Sequence, residues 1–91
     1  MPVVVDLTLV SRARRVLHKV LEERGLSFFL KPDSLRTPRL DPRRIGWVVE
    51  LARRQVGPRA RRDPDALART RRVVRRELIR RLADAMLQAG L

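Results

Sequence analysis

Residues 63–89 read DPDALARTRRVVRRELIRRLADAMLQA and carry the longest uninterrupted helical period in the chain. Asp63 can accept hydrogen bonds from the first backbone amides of a helix, and Pro64 suits the first helical position. Gly90 follows where a left-handed residue commonly ends a helix. At about 100° per residue, one side of this helix is apolar: Leu67, Val74, Leu78, Leu82, Ala85 and Ala89. The pattern therefore predicts a helix over residues 64–89 with one face toward a core.

Arginines occupy the opposite side of the same helix. The row consists of Arg69, Arg72, Arg76 and Arg80. Neighbouring members lie about 5–6 Å apart on a helix surface, and guanidinium groups match phosphate oxygens in geometry. A basic turn precedes the helix, with Arg59, Arg61 and Arg62. We expect these seven arginines to form a nucleic-acid-binding surface that contacts backbone rather than bases.

The charge of the whole chain is consistent with that expectation. The 91 residues carry a formal net charge of +12, and residues 53–81 set 12 arginines against three acids, a net +9. Such a concentration of one sign attracts polyanions. Arginine enrichment can also reflect a general bias in composition, without any ligand. Such a bias usually brings a matching number of acids for ion-pair networks, but this chain has only 10 acids.

Two further helices are predicted from the same kinds of signal. Asp41 and Pro42 repeat the Asp-Pro start, and a helix over 42–56 would end at Gly57-Pro58. Its core stripe would be Ile45, Val48, Val49, Ala52 and Val56. A third helix is expected over 12–24, capped by Ser11 and ended by Gly25. Its apolar face would consist of Ala13, Val16, Leu17, Val20 and Leu21.

The remaining segments leave the fold class partly open. Residues 3–9 alternate as a strand would, but they also fit the start of a helix capped by Asp6 or Thr8. Residues 26–30, LSFFL, fit a buried strand or a hydrophobic plug, and residues 31–42 form a proline-rich connector. The prediction is a mainly α, single small helical domain over residues 1–91. It has three helices, with or without a short N-terminal strand pair that would make it α+β.

Trp47 and Leu51 fall off the core stripe of the predicted second helix. They form either a second packing face or an exposed anchor for a partner. A chain this small, with two Phe, one Trp and no Tyr, has a thin aliphatic core. We therefore expect self-association, most simply a homodimer, with Trp47 and Leu51 at the interface.

The sequence contains no recognisable catalytic or metal-binding motif. It has no Cys, no Tyr and one histidine, His18, on the polar face of the first helix. The acids have local roles: Asp41 and Asp63 as caps, and Asp84 and Glu77 spaced to pair with Arg80 and Arg81. We expect no enzyme activity, no cofactor and no metal.

The predicted function is binding of the phosphate backbone of duplex DNA or structured RNA through the arginine-rich last helix. The alternative is a non-enzymatic adaptor or structural subunit, whose basic face docks on an acidic protein partner or within a larger nucleoprotein assembly. No apolar run approaches the roughly 18–20 residues that span a bilayer, and residues 1–10 lack a basic start. A cytoplasmic protein without membrane contact is expected.

Overall fold

The computed structural model describes residues 8–32, 38–58 and 63–90. Within these ranges the chain forms three α-helices of 13 residues or more: α1 (Thr8–Arg24), α2 (Pro42–Arg54) and α3 (Pro64–Gln88). A short 3-10 helix, Leu26–Phe29, lies between α1 and α2. Each α-helix packs against both of the others. The prediction of a mainly α domain with three helices is therefore confirmed.

Side-chain caps define the starts of α2 and α3, as the Asp-Pro pairs predict. Asp41 accepts a hydrogen bond from the backbone amide of Arg43 at 2.9 Å. Asp63 accepts two, from Asp65 at 3.0 Å and Ala66 at 3.3 Å. Both prolines stand at the first helical position, where no donor is needed.

The left-handed glycines predicted to end α1 and α3 are also present. Gly25 has φ 78° and Gly90 has φ 76°. A residue with a Cβ would be strained at either position. Gly25 also donates its amide to the carbonyl of Leu21 at 2.9 Å, which closes the last turn of α1.

The start of α1 differs from the prediction. The helix begins at Thr8, so Ser11 lies inside it, and the prediction that Ser11 caps the helix is wrong. Residues 1–7, which include most of the predicted strand at 3–9, lie outside the described residues. Leu9 is helical and 1% exposed, because the apolar period of α1 extends one turn earlier than expected.

Residues 26–30 form a hydrophobic plug and not a strand. They turn into the 3-10 helix directly after Gly25, and Phe29 is completely buried beneath the helices. An isolated antiparallel bridge joins Leu30 to Leu40. Two further backbone bonds, Lys31 to Arg39 at 2.9 Å and Asp41 to Phe29 at 2.7 Å, hold the two ends of the connector together.

The core joins one face of each helix. The predicted stripe of α2 is wholly buried, and Val56 remains buried although α2 ends at Arg54. On α1 the buried residues are Leu9, Ala13, Leu17 and Val20, with Val16 and Leu21 packed beside them.

The core face of α3 is rotated and shorter than predicted. Its buried residues are Ala66, Thr70, Val74 and Leu78, whereas Ala85 and Ala89 are exposed. A helix of 25 residues is about 37 Å long, but the 17 residues of α1 extend only about 25 Å. No residue from 79 to 90, the end of α3, is buried.

Candidate nucleic-acid interface

The outer side of α3 presents the predicted arginine row to solvent. Arg72, Arg76 and Arg80 are exposed, and Arg69 is half-buried. Among the described residues, no carboxylate lies within ion-pair distance of any of the four. Their charges are therefore open to an external anion.

Half of the eight described acids are engaged by groups outside the row. Asp41 and Asp63 cap helices. On α2, Glu50 accepts a hydrogen bond from Nε of Arg53 at 2.9 Å and lies 3.8 Å from Nε of Arg54. The hydrogen bond from Arg53 lowers the pKa of Glu50 and raises the pKa of Arg53. Helix α2 thus neutralises part of its own charge.

One of the two acid pairings predicted within α3 is formed. Glu77 lies 3.5 Å from Nε of Arg81, a separation that allows an ion pair but gives no hydrogen bond to this buried nitrogen. The predicted pairing of Asp84 with Arg80 is wrong, since Asp84 is exposed and forms no ion pair within the described part of the chain. Arg80 therefore has no acid partner among the described residues.

Of the three described acids of α3, Asp65 and Asp84 lie beyond the ends of the arginine row, and Glu77 follows Arg76 directly and pairs with Arg81. Asp65 precedes Arg72 by seven residues and Asp84 follows Arg76 by eight, which correspond to about 10 Å and 12 Å along the helix. These separations are comparable to or larger than the Debye length of about 8–10 Å at physiological salt. The acid nearest the centre of the row is Glu77, and its ion pair is with Arg81 and not with a member of the row.

Two more exposed arginines lie beside the row and were not predicted from the sequence. Arg71 and Arg75 stand one turn apart next to the core-facing stripe of α3. The helical period predicts that Arg71 and Arg75 are exposed only if the core face of α3 is assigned correctly. That face includes Ala66 and Thr70. The basic surface of α3 is thus wider than one row.

The basic turn falls in the undescribed part of the chain. Arg59, Arg61 and Arg62 lie outside the described residues. Their place in the interface stays a prediction that depends on their position in sequence, directly before the capped start of α3.

Trp47 is partly engaged within the molecule. Its side chain is 40% exposed, and its ring meets the Phe28 ring edge-on, with centroids 5.5 Å apart. The guanidinium of Arg44 lies 4.2 Å from the centroid of Phe28, and that of Arg24 lies 5.1 Å from it. This aromatic cluster is the second packing face that the off-stripe position of Trp47 allowed. Leu51 is half-buried, and a role of either residue at a partner interface stays a prediction.

His18 contacts α3 through Arg81. Its Nδ1 lies 3.2 Å from Nη2 of Arg81, and the ring is exposed. Within the described ranges, no three His, Cys, Asp or Glu side chains are grouped to hold a metal ion. Nor does any helix there combine the length and apolarity required to cross a membrane.

Comparison with known proteins gives no assignment. No family model, curated protein or solved structure matches this chain. The geometry and charge of the chain itself are therefore what support a function.

Proposed function

We propose that this chain binds the phosphate backbone of duplex DNA or structured RNA through the arginine side of α3 and has no catalytic role. The observation that carries the proposal is the exposed central pair of the row, Arg72 and Arg76, which no described carboxylate neutralises. Guanidinium groups held one turn apart on a packed helix can each meet a phosphate oxygen.

The dimensions of α3 suit a nucleic-acid duplex. Arg69 and Arg80 are 11 residues apart, or about 16 Å along the helix. Base pairs rise about 3.4 Å each, so the row extends over roughly five base-pair steps. An α-helix of about 10–12 Å diameter also fits the major groove of B-DNA, which is about 12 Å wide. Contacts to phosphates would fix its position without requiring a particular sequence.

Single-stranded targets are less favoured by the available aromatic surface. Proteins that bind single strands stack successive bases on exposed rings. Within the described residues, Trp47 and Phe28 pack against each other, and Arg44 covers part of Phe28. This cluster offers a base one partly exposed ring and not a platform.

The test is the double substitution Arg72→Gln with Arg76→Gln. Both residues are exposed and glutamine is a good helix former, so the circular dichroism spectrum and melting temperature should change little. Affinity for duplex DNA of any sequence should fall. In a salt titration, the slope of log K against log salt should become shallower by about 0.9 for each phosphate that the variant no longer neutralises.

The matched control is Arg15→Gln with Lys19→Gln on α1. Arg15 and Lys19 are also exposed and four positions apart, and the two substitutions remove the same charge as the α3 variant. If the control loses as much affinity as the α3 variant, net charge alone attracts the nucleic acid and the α3 site is refuted. If duplex DNA, structured RNA and heparin all bind weakly and equally, the adaptor alternative with an acidic protein partner replaces this proposal.

A further inference from the structure

A groove with an apolar floor lies between α3, the start of α2 and the end of the connector. Its volume is about 610 Å³. The floor and sides include Leu40, Pro42, Ile45, Ile79 and Leu82. Ile79 is 49% exposed, so a partner in the groove can bury the outer half of its side chain.

Cations line the rim of this groove on both sides. Arg71 and Arg75 rise from α3, and Lys31 and Arg39 from the connector, whereas no Asp or Glu is among the described residues that line it. Arg71 extends over α2, where a Cβ placed on Gly46 would lie 3.8 Å from its Nη2. That distance is an ordinary van der Waals contact, so the guanidinium of Arg71 lies close to α2 at the groove edge.

We propose that this groove binds an amphipathic helix from a protein partner, with aliphatic residues against the floor and acidic residues on its flanks. Charge complementarity favours acidic flanks, because three arginines, Arg39, Arg71 and Arg75, line the edges. The length favours a helix: Arg71 to Leu82 extends about 16 Å, which matches roughly three turns of a partner helix with anchors at positions i, i+4, i+7 and i+11.

The same features disfavour two other occupants. A second copy of this chain carries a net charge of +12, so its approach to a cationic rim would be repulsive. A nucleic-acid backbone would bring phosphates and their water against Ile79 and Leu82, where burial of apolar side chains by an apolar partner is favourable. The groove thus forms a second surface, alongside the Arg72 and Arg76 face.

The probes are three synthetic peptides of about 15 residues, the length at which an isolated helix becomes marginally stable. The first places Leu at helical spacing with Glu on both flanks; the second has the same composition in scrambled order; the third replaces Glu by Lys. In calorimetric titrations with the full chain, the first peptide should bind at least about tenfold more tightly than the others, and it should gain helicity.

Substitutions locate the binding. Ile79→Ser should weaken binding of the acidic amphipathic peptide about fivefold, because the exposed half of that side chain loses its burial. The control Leu87→Ser removes an apolar side chain that is 74% exposed and outside the groove, and it should have no effect. Arg75→Gln should weaken binding more than Arg76→Gln, which removes equal charge one residue away.

Two results would overturn the proposal. The first is equal affinity for the ordered and scrambled acidic peptides, or equal effects of Ile79→Ser and Leu87→Ser. The second is tight, Ile79-dependent binding of laurate without binding of any peptide, which would make the groove a site for an anionic amphiphile. Ile79→Ser should leave duplex DNA affinity unchanged, so this result is independent of the Arg72 and Arg76 test.

Discussion

Thr70 shows how one residue can be polar and still belong to the core. It is completely buried, and its hydroxyl donates to the carbonyl of Ala66 at 2.7 Å within its own helix. A threonine that is satisfied locally needs no partner on another helix. Thr70 can therefore lie between Ala66 and Val74 in the buried stripe of α3. The pattern of apolar residues in the sequence does not predict this position for a threonine.

Substitution of Thr70 by Val should change the free energy of unfolding by less than about 1 kcal/mol, as expected for one local hydrogen bond. The carbonyl of Ala66 keeps its helical amide partner, and Val nearly preserves the shape. Phe29→Ala, at another completely buried site, should cost about 3–5 kcal/mol. Urea unfolding followed by circular dichroism measures both. A destabilisation by Thr70→Val close to that of Phe29→Ala would show that the hydroxyl has a role beyond α3.

The ion pair of Glu50 with Arg53 on α2 predicts that the stability of the fold depends on pH. The hydrogen bond from Arg53 lowers the pKa of Glu50 in the folded chain below its ordinary value of 4.5. A group with a lowered folded pKa stabilises the fold above its unfolded pKa, and this contribution disappears as pH falls through the folded value. Glu50→Gln should therefore lose less stability than wild type on acidification below about pH 4.5. Parallel pH curves for the two proteins would contradict a stabilising pair.

At the scale of the helix, the sequence predicts those ends that a local signal marks. The Asp-Pro pairs and left-handed glycines place the start of α2 and both ends of α3 within one residue, because these signals act locally. The start of α1 is missed by three to four residues, since Thr8 is not preceded by an Asp-Pro pair.

The sequence predicts the arginine row, which follows from one helix alone, but not the groove beside it. The helical period places Arg72 and Arg76 on the exposed side for any core face that includes Val74 and Leu78. The groove beside Arg71 and Arg75 depends on how α3 is rotated against α2 and the connector. That rotation is set by tertiary packing, which a single-helix pattern does not contain.

The cap of α3 should be measurable as an element-scale contribution. Asp63→Ala removes a side chain that accepts two backbone amides, so it should lower the free energy of unfolding by about 1 kcal/mol. Asp63→Asn keeps an acceptor and should lose less. The control Asp84→Ala removes the same charge from an exposed position without a cap role. Equal melting temperatures for Asp63→Ala and Asp84→Ala would show that the cap does not limit stability.

The whole molecule is long for its mass. Its dimensions are 48 × 24 × 21 Å, and its radius of gyration of 14.4 Å exceeds the about 12 Å expected for a compact chain of this length. A bundle with so little core has surface available for a partner, while its net charge of +12 opposes contact between copies. Self-association and nucleic-acid binding should therefore respond oppositely to salt.

We expect the chain to self-associate through a surface that includes Trp47, and added salt should strengthen this association by screening the repulsion between copies. The same salt should weaken nucleic-acid binding. Sedimentation velocity over a range of protein and salt concentrations measures the first effect. Trp47→Ala should shift the equilibrium toward monomer, whereas Leu87→Ala, at a 74% exposed position on α3, should not.

The contact of Trp47 with Phe28 requires a second readout for this variant. If the indole acts between copies, Trp47→Ala should lower the melting temperature and abolish its dependence on protein concentration, because only an assembled state gains stability from mass action. A decrease that is equal at every concentration would assign Trp47 to packing within one chain. Wild-type protein that sediments as a monomer at all concentrations and all salt levels would rule out the dimer, and the thin core would then be sufficient alone.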